Sequence, residues 1–376
     1  MKTINSIIPI LFVFLASIVA CNCDDDPTSN PCGEDLQIEW QSIDTTKQAY
    51  PFPQYPTLPQ TIPNNPDNPA TIAGVELGRR LFYDPILSGD STQSCASCHA
   101  QGFGFTDNLK AFSTGIDGIN GRRNAMALIN LTWVPRLFWD GRATGLEDQA
   151  LRPVTDPIEM HNTWENAVCD LMSSPDYRQR FYKAFGIKTI TKEDVANAIA
   201  QFERTLISGT ARYDLATIPG SGVFLTEQEY YGYSIFFNEV ADCFHCHTGS
   251  GSLFTDNQFH NNGLDSVATL NDYPDKGLGE VTKELQDNGY FRTPTLRNIE
   301  LTAPYMHDGR FQTLEEVVDH YSDHVKQAEN VDPTIKVFFK DGGKHLSPDD
   351  KAAVVAFLKT LTDTAFVNNP AFKSPF

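Results

Sequence analysis

Positive charge is scarce in this chain. Against 48 Asp and Glu stand only 29 Lys and Arg, a net charge of −19 over 376 residues. That imbalance argues against nucleic acid as a ligand and against docking on anionic membrane surfaces, and it favours a basic protein partner. Long apolar runs are scarce too. Residues 7–20 are almost wholly apolar behind Lys2 but too short to span a bilayer, so residues 1–20 read as a signal peptide. No strong strand pattern occurs either, which leaves a mainly α fold with long loops.

Cysteine is present, and patterned. Four of the eight cysteines fall into Cys95-Ala96-Ser97-Cys98-His99 and Cys243-Phe244-His245-Cys246-His247. C-x-x-C-H is the attachment signature of c-type haem: the thiols add to the vinyl groups as thioethers, and the adjacent His is held where it can bind iron axially. A zinc half-site or a redox dithiol would account for one match; two, each keeping its His, imply two covalently bound haem c groups. Such haems are assembled outside the cytoplasm, in agreement with export. Ile18-Val19-Ala20-Cys21 resembles the bacterial lipobox, which makes Cys21 a lipidated mature N-terminus and the protein a periplasm-facing lipoprotein; an ordinary signal with incidental cysteines is the alternative. Cys23, Cys32 and Cys169 are left, allowing one disulfide without choosing the pair.

A chain of this length suits two domains. Residues 21–70 are acidic and carry seven Pro between Pro51 and Pro69, so they read as a lipidated tether or wrapping arm whose few apolar residues dock on the body. Val75, Leu77, Leu81 and Phe82 share one face of a short helix that Asp84-Pro85 ends. Residues 191–208 read as a helix with Thr191 as N-cap. Thr226-x-x-Glu229 is a capping box that opens a helix leading into Cys243, and Ser347-Pro348-Asp349-Asp350 opens the last one. Helix, apolar pair and C-x-x-C-H thus occur twice, as a duplicated cytochrome c-like haem domain would require: residues 71–215 and residues 216–376.

Over residues 71–362 the chain resembles the bacterial di-haem cytochrome c peroxidase and MauG family. The resemblance rests on ordered blocks that include Leu77-Gly78-x-x-Leu81-Phe82, Gly121-Arg122-Arg123-Asn124, Phe138-Trp139-Asp140-Gly141-Arg142, Gln149, Glu159-Met160, Arg292-Thr293-Pro294 and Thr302-Ala303-Pro304-Tyr305-x-His307-Asp308-Gly309. It implies an N-terminal haem that meets hydrogen peroxide and a C-terminal haem that passes it electrons from a small cytochrome c or cupredoxin; it also allows a homodimer. His99 and His247 become the proximal ligands, and Trp139 the aromatic between the haems. Asn124 and the carbonyls of Thr302 and Pro304 match the family's calcium position, with oxygen donors as a hard cation requires. Glu159 and Gln149 match the distal pair, a base that moves the peroxide proton and an amide that orients the peroxide. His307 is placed beside the second haem or its propionate rather than on iron.

Two positions depart from the family. Where many members carry a distal His after Ser-x-Gly, Ser113-Thr114-Gly115 is followed by Ile116, and no His lies between His99 and His161, so the first iron is expected to be open. The sixth ligand of the second haem, a Met in typical peroxidases, falls at Tyr321. Helical phase puts Tyr321 with Leu314, Val317 and Val318, and His320 elsewhere; Met306 is the rival. The leading expectation is a peroxidase that reduces hydrogen peroxide to water. A MauG-like oxidase of an organic or protein substrate and a non-enzymatic di-haem electron carrier are the alternatives, and an acid/base pair at Glu159 and Gln149 speaks against the carrier.

Overall fold

The computed structural model describes Cys32 and residues 38–248, 252–338 and 340–376. The signal peptide, Cys21 and Cys23 lie outside the described residues. The fold is mainly helical. The first half contains helices Ile72–Tyr83, Trp164–Ser173, Pro175–Phe185 and Lys192–Glu203, and the second half Glu227–Phe236, Leu314–Asp323 and Pro348–Lys359. Among the described residues, sheet is limited to two antiparallel pairs of two-residue strands, Arg136–Leu137 with Ala143–Thr144 and Phe259–His260 with Phe291–Arg292. Among the described residues no helix is long and apolar enough to cross a membrane.

Local sequence sets most helix starts. Thr71 accepts from Gly74 N, and capping boxes open helices at Thr191, Thr226, Thr313 and Ser347, each satisfying backbone donors that a helix start leaves unpaired. The helix expected over residues 191–208 stops at Glu203. Beyond it, Asn130 takes both polar groups of the Ser208 backbone, accepting from its N–H at 2.9 Å and donating to its carbonyl at 3.1 Å, so the chain leaves helical geometry for a side-chain partner.

Both halves use one crossing. Ile72–Tyr83 packs on Lys192–Glu203, and Glu227–Phe236 packs on Pro348–Lys359. A β-carbon on Gly78 would lie 1.8 Å from the Ala198 carbonyl oxygen and 3.0 Å from Phe202 Cβ; one on Gly232 would lie 1.9 Å from the Ala353 oxygen and 3.0 Å from Phe357 Cβ. Only hydrogen fits at either point. Four residues on, Phe82 meets Phe202 and Phe236 meets Phe357, with ring centroids 5.3 and 5.2 Å apart. The two helix pairs are thus one device used twice.

The ends of the chain wrap this body. Cys32 is disulfide-bonded to Cys169, Trp40 packs on Tyr182, and Tyr50 and Phe52 join the core around Phe82 and Phe105. The last residues return to the same core: Phe366 packs on Phe105 and Phe372, and Tyr83 Oη donates to the Phe372 carbonyl at 2.7 Å. Between the halves, Arg297 and Asp214 form a fully buried two-bond ion pair at 2.7 and 2.8 Å, and Thr57 of the arm donates to the same carboxylate. Every polar atom there has a partner, as a buried charge requires.

His320, which helical phase sets on another face than Tyr321, is buried there. The helix Leu314–Asp323 is covered on a second side by the loop at Asn262, whose carbonyl lies 3.2 Å from His320 Nε2, and by residues 342–346, where Lys344 and His345 donate backbone N–H bonds to Tyr321 and Ser322.

Replacing Gly232 by Ala sets overpacking of about 3 kcal/mol against about 1 kcal/mol of improved helix propensity. A net loss of about 2 kcal/mol is expected, read from the denaturant midpoint. An unchanged or raised midpoint would show that the helices can part at this point.

Candidate functional site

The two signatures are held alike. After each, a Phe-Thr-Asp segment turns back: Phe105-Thr106-Asp107 and Phe254-Thr255-Asp256. Both phenylalanines adopt left-handed backbone, φ +59° and +55°. Their rings are fully buried while their carbonyls meet the signature histidines, at 2.8 Å from His99 Nδ1 and 3.1 Å from His247 Nδ1. The bond orients each imidazole and leaves Nε2 as the atom for iron. Burial also holds both histidines below their ordinary pKa, in the neutral form that ligates metal.

The four signature cysteines form no disulfide, whereas Cys32 and Cys169 are bonded to each other. Around the second signature lies a deep, largely apolar cavity lined by Cys243, Cys246 and His247 and walled by side chains such as Leu131, Leu296 and Leu358. An apolar cavity with two thiols and a neutral imidazole at its wall is the donor set that haem c takes.

The same cavity brings together residues far apart in sequence: Trp139, Asn124, Thr302, Pro304, Met306, His307 and Tyr321 all line it. Trp139 is fixed at both ends of its residue, the indole N–H donating to the Asn124 carbonyl at 2.9 Å and its own carbonyl accepting from Arg292 N at 2.9 Å. Its neighbour Asp140 is buried and accepts from Arg123 at 2.5 Å and Arg142 at 3.1 Å, and Arg123 also grips Asp275. The Asn124 amide donates to the carbonyls of Lys110 and Ala111, and its backbone N–H donates to the His307 carbonyl. His307 stacks on Phe291 with centroids 3.7 Å apart, and burial lowers its pKa.

Tyr321 and Met306 share a partner. Asn262 Nδ2 lies 3.0 Å from Tyr321 Oη and 3.5 Å from Met306 Sδ. Burial raises the Tyr321 phenol well above its ordinary pKa. Both side chains therefore face the cavity, and the fold by itself separates neither from the other as a ligand.

On the first side, Ile116 and Glu159 are neighbours: Ile116 N donates to the Glu159 carbonyl at 3.0 Å, and a β-carbon on Gly115 would lie 2.3 Å from the Ile158 carbonyl oxygen and 2.7 Å from that of Glu159. Glu159 is mostly buried, and desolvation, with help from Asp156 and against Arg142, pushes its carboxyl up to about 7. Its charge is felt at Cys95 and Cys98. Gln149 is half-buried on the helix Gly145–Ala150, which packs on Lys192–Glu203.

Several site residues escaped the sequence reading. Asn262 and Arg292 carried no signal of their own beyond the block containing Arg292. The repeated Phe-Thr-Asp was a readable signal, six and seven residues after its histidine. His260 sits between Asp256 at 2.9 Å and Asp332 at 2.7 Å; desolvation opposes its charge, but the two carboxylates outweigh it and raise its pKa.

Residues 72–219 match the family model described as di-haem cytochrome c peroxidase. The chain is 36% identical to the cytochrome c551 peroxidase of Nitrosomonas europaea, over 80% of this chain and 82% of that one. It is 32% identical to the methylamine utilization protein MauG of Methylophilus methylotrophus, over 81% and 86%. A solved MauG-like protein associated with microbial copper homeostasis superposes with a TM-score of 0.77 at 37% identity, covering 87% of this chain and 99% of that one. Changing Cys246 and His247 together to Ser and Ala is expected to lower the haem content from two per chain to one, counted as pyridine haemochrome per protein. Retention of both would mean that the second signature does not attach the group.

Proposed function

Since the chain belongs to the di-haem cytochrome c peroxidase and MauG family, oxidoreductases with two c-type haems, we propose that it reduces hydrogen peroxide to water with electrons from a small redox protein. The observation that carries this reading is Glu159, a carboxyl raised to about 7 by burial beside the first signature. When bound, the haems supply the two electrons that, with two protons, turn one peroxide into two waters. Glu159 in its ionised form takes a proton from the peroxide and returns it to the departing oxygen. Gln149 orients the peroxide by hydrogen bonding. Ile116 places an alkyl group where a distal His stands in many relatives, so the chain itself offers no competing ligand there. Trp139, pinned by Asn124 and Arg292, presents an aromatic system of fixed orientation between the residue 71–215 and 216–376 haem domains.

The same reading assigns calcium to Asn124, Thr302 and Pro304, which all line the cavity. His307 lines the second haem. The acidic surface suits a basic cytochrome c or cupredoxin donor, and the apolar N-terminal segment ending at Cys21 supports a lipid-anchored protein facing the periplasm.

With Glu159 as base, the rate of peroxide reduction by a reduced cytochrome c rises tenfold per pH unit below about 7 and levels off above it, because protonation removes the base. Glu159→Gln is expected to be slower by about 10²–10⁴ and to lose this rise. An unimpaired variant, or an inactive wild type, refutes the peroxidase.

A second reading, a MauG-like oxidase, draws on Ile116 and on Tyr321 facing the second cavity. Tyr321→Phe and Met306→Leu, made separately, decide it through the ferric spectrum of the second haem. Tyrosine ligation requires that only the first alters the spectrum; a change confined to Met306→Leu returns the site to an ordinary electron-transfer haem.

A further inference from the structure

Arg292 is a buried cation without an anion. It is 4% exposed, and among the described residues no carboxylate lies within ion-pair distance of it. Its Nε has no hydrogen-bond partner. The terminal nitrogens have long contacts to neutral atoms alone: Nη1 to the Thr293 carbonyl at 3.4 Å and Asn257 Oδ1 at 3.5 Å, and Nη2 to Met126 Sδ at 3.6 Å. Burial, with nothing to offset it, pulls the guanidinium down to about 10, which still leaves it charged. Arg297, equally buried, has two strong bonds to Asp214. A guanidinium taken from water without such a partner costs several kcal/mol, so its retention points to an anion that completes the site.

The side chain lines the cavity around Cys243, Cys246 and His247. The other ionisable groups on that wall are engaged elsewhere. Asp242 pairs with His245 and Lys344, His260 with Asp256 and Asp332, and His307 is stacked on Phe291 and favoured neutral. Arg123, over the Phe291 ring, is taken by Asp140 and Asp275. Haem c carries two propionate carboxylates and little else that is anionic.

We propose that Arg292, with Asn257 beside it, binds a propionate of the second haem and holds it ionised, and thereby keeps the reduction potential of that haem high and independent of pH. The inference rests on the di-haem reading. Arg292 is a positioning residue: it acts on the haem edge, and its backbone N–H, donating to the Trp139 carbonyl, ties it to that aromatic residue. Arginine suits the role because its planar fork matches a carboxylate with two parallel bonds.

The test is spectroelectrochemical titration of the holoprotein between pH 6 and 8, with haemochrome content measured in parallel. In the wild type the midpoint of the second haem stays level across this range. In Arg292→Gln the unpaired propionate takes up a proton on reduction, and the ferrous-to-ferric ratio at fixed potential falls up to tenfold per pH unit as pH rises, 59 mV for one electron. Arg292→Lys keeps the charge and restores the level profile. A sloping wild-type midpoint, or a glutamine variant with the wild-type profile and both haems attached, overturns the assignment. Haem content below two per chain in the wild type would instead refute the di-haem reading itself, and the two failures are told apart by the haemochrome count.

Discussion

Everything in this fold hangs on two contacts that only hydrogen permits. At Gly78 and Gly232 one helix backbone lies against the next, with room for no β-carbon. The close approach brings Phe82 onto Phe202 and Phe236 onto Phe357, an aromatic pair in the core of each half. Because a cytochrome-like unit is small and loop-rich, such a clamp does the work that a larger apolar core would do elsewhere. The arm at Tyr50 and Phe52 and the tail at Phe366 and Phe372 then pack over the first core, so the two ends of the chain are bound into one half.

From this shared frame the two halves diverge in chemistry. Phe105 and Phe254 offer the same carbonyl to the same imidazole atom. Beyond that bond the surroundings differ. The first side sets a buried carboxyl, Glu159, against an aliphatic Ile116; the second sets Tyr321 and Met306 on one amide and a bare guanidinium on the cavity wall. A carboxyl that takes up a proton near neutrality suits proton transfer, and a fixed cation suits the holding of electrons. Trp139 is held by its indole N–H on the Asn124 carbonyl, by its own carbonyl on Arg292 N, and by the neighbouring Arg123–Asp140–Asp275 cluster. Its placement depends on polar groups that each have a partner.

Much of this was legible in the residues. The two signatures, the capping boxes at Thr191, Thr226, Thr313 and Ser347, the proline-rich arm and the mainly helical class are local statements, and local chemistry decides them. The end of the helix at Glu203 was not legible, because Asn130, more than seventy residues away, supplies the competing bonds. Neither was the burial of His320: helical phase describes one apolar face and is silent about a second layer laid over the other.

The sequence by itself determined what each short segment could do: attach a haem, start a helix, resist a helix, carry charge. Tertiary structure decided which groups share a space. The pairing of Cys32 with Cys169, the meeting of Tyr321 and Met306 at Asn262, the gathering of Trp139, Asn124, Thr302 and Pro304 around one cavity and the isolation of Arg292 join positions tens to hundreds of residues apart. Hydrogen bonds and desolvation act over a few ångströms, and distance in the folded chain is not a property of any segment. For that reason the kind of chemistry could be read along the chain, while the different surroundings of its two signatures had to be read across it.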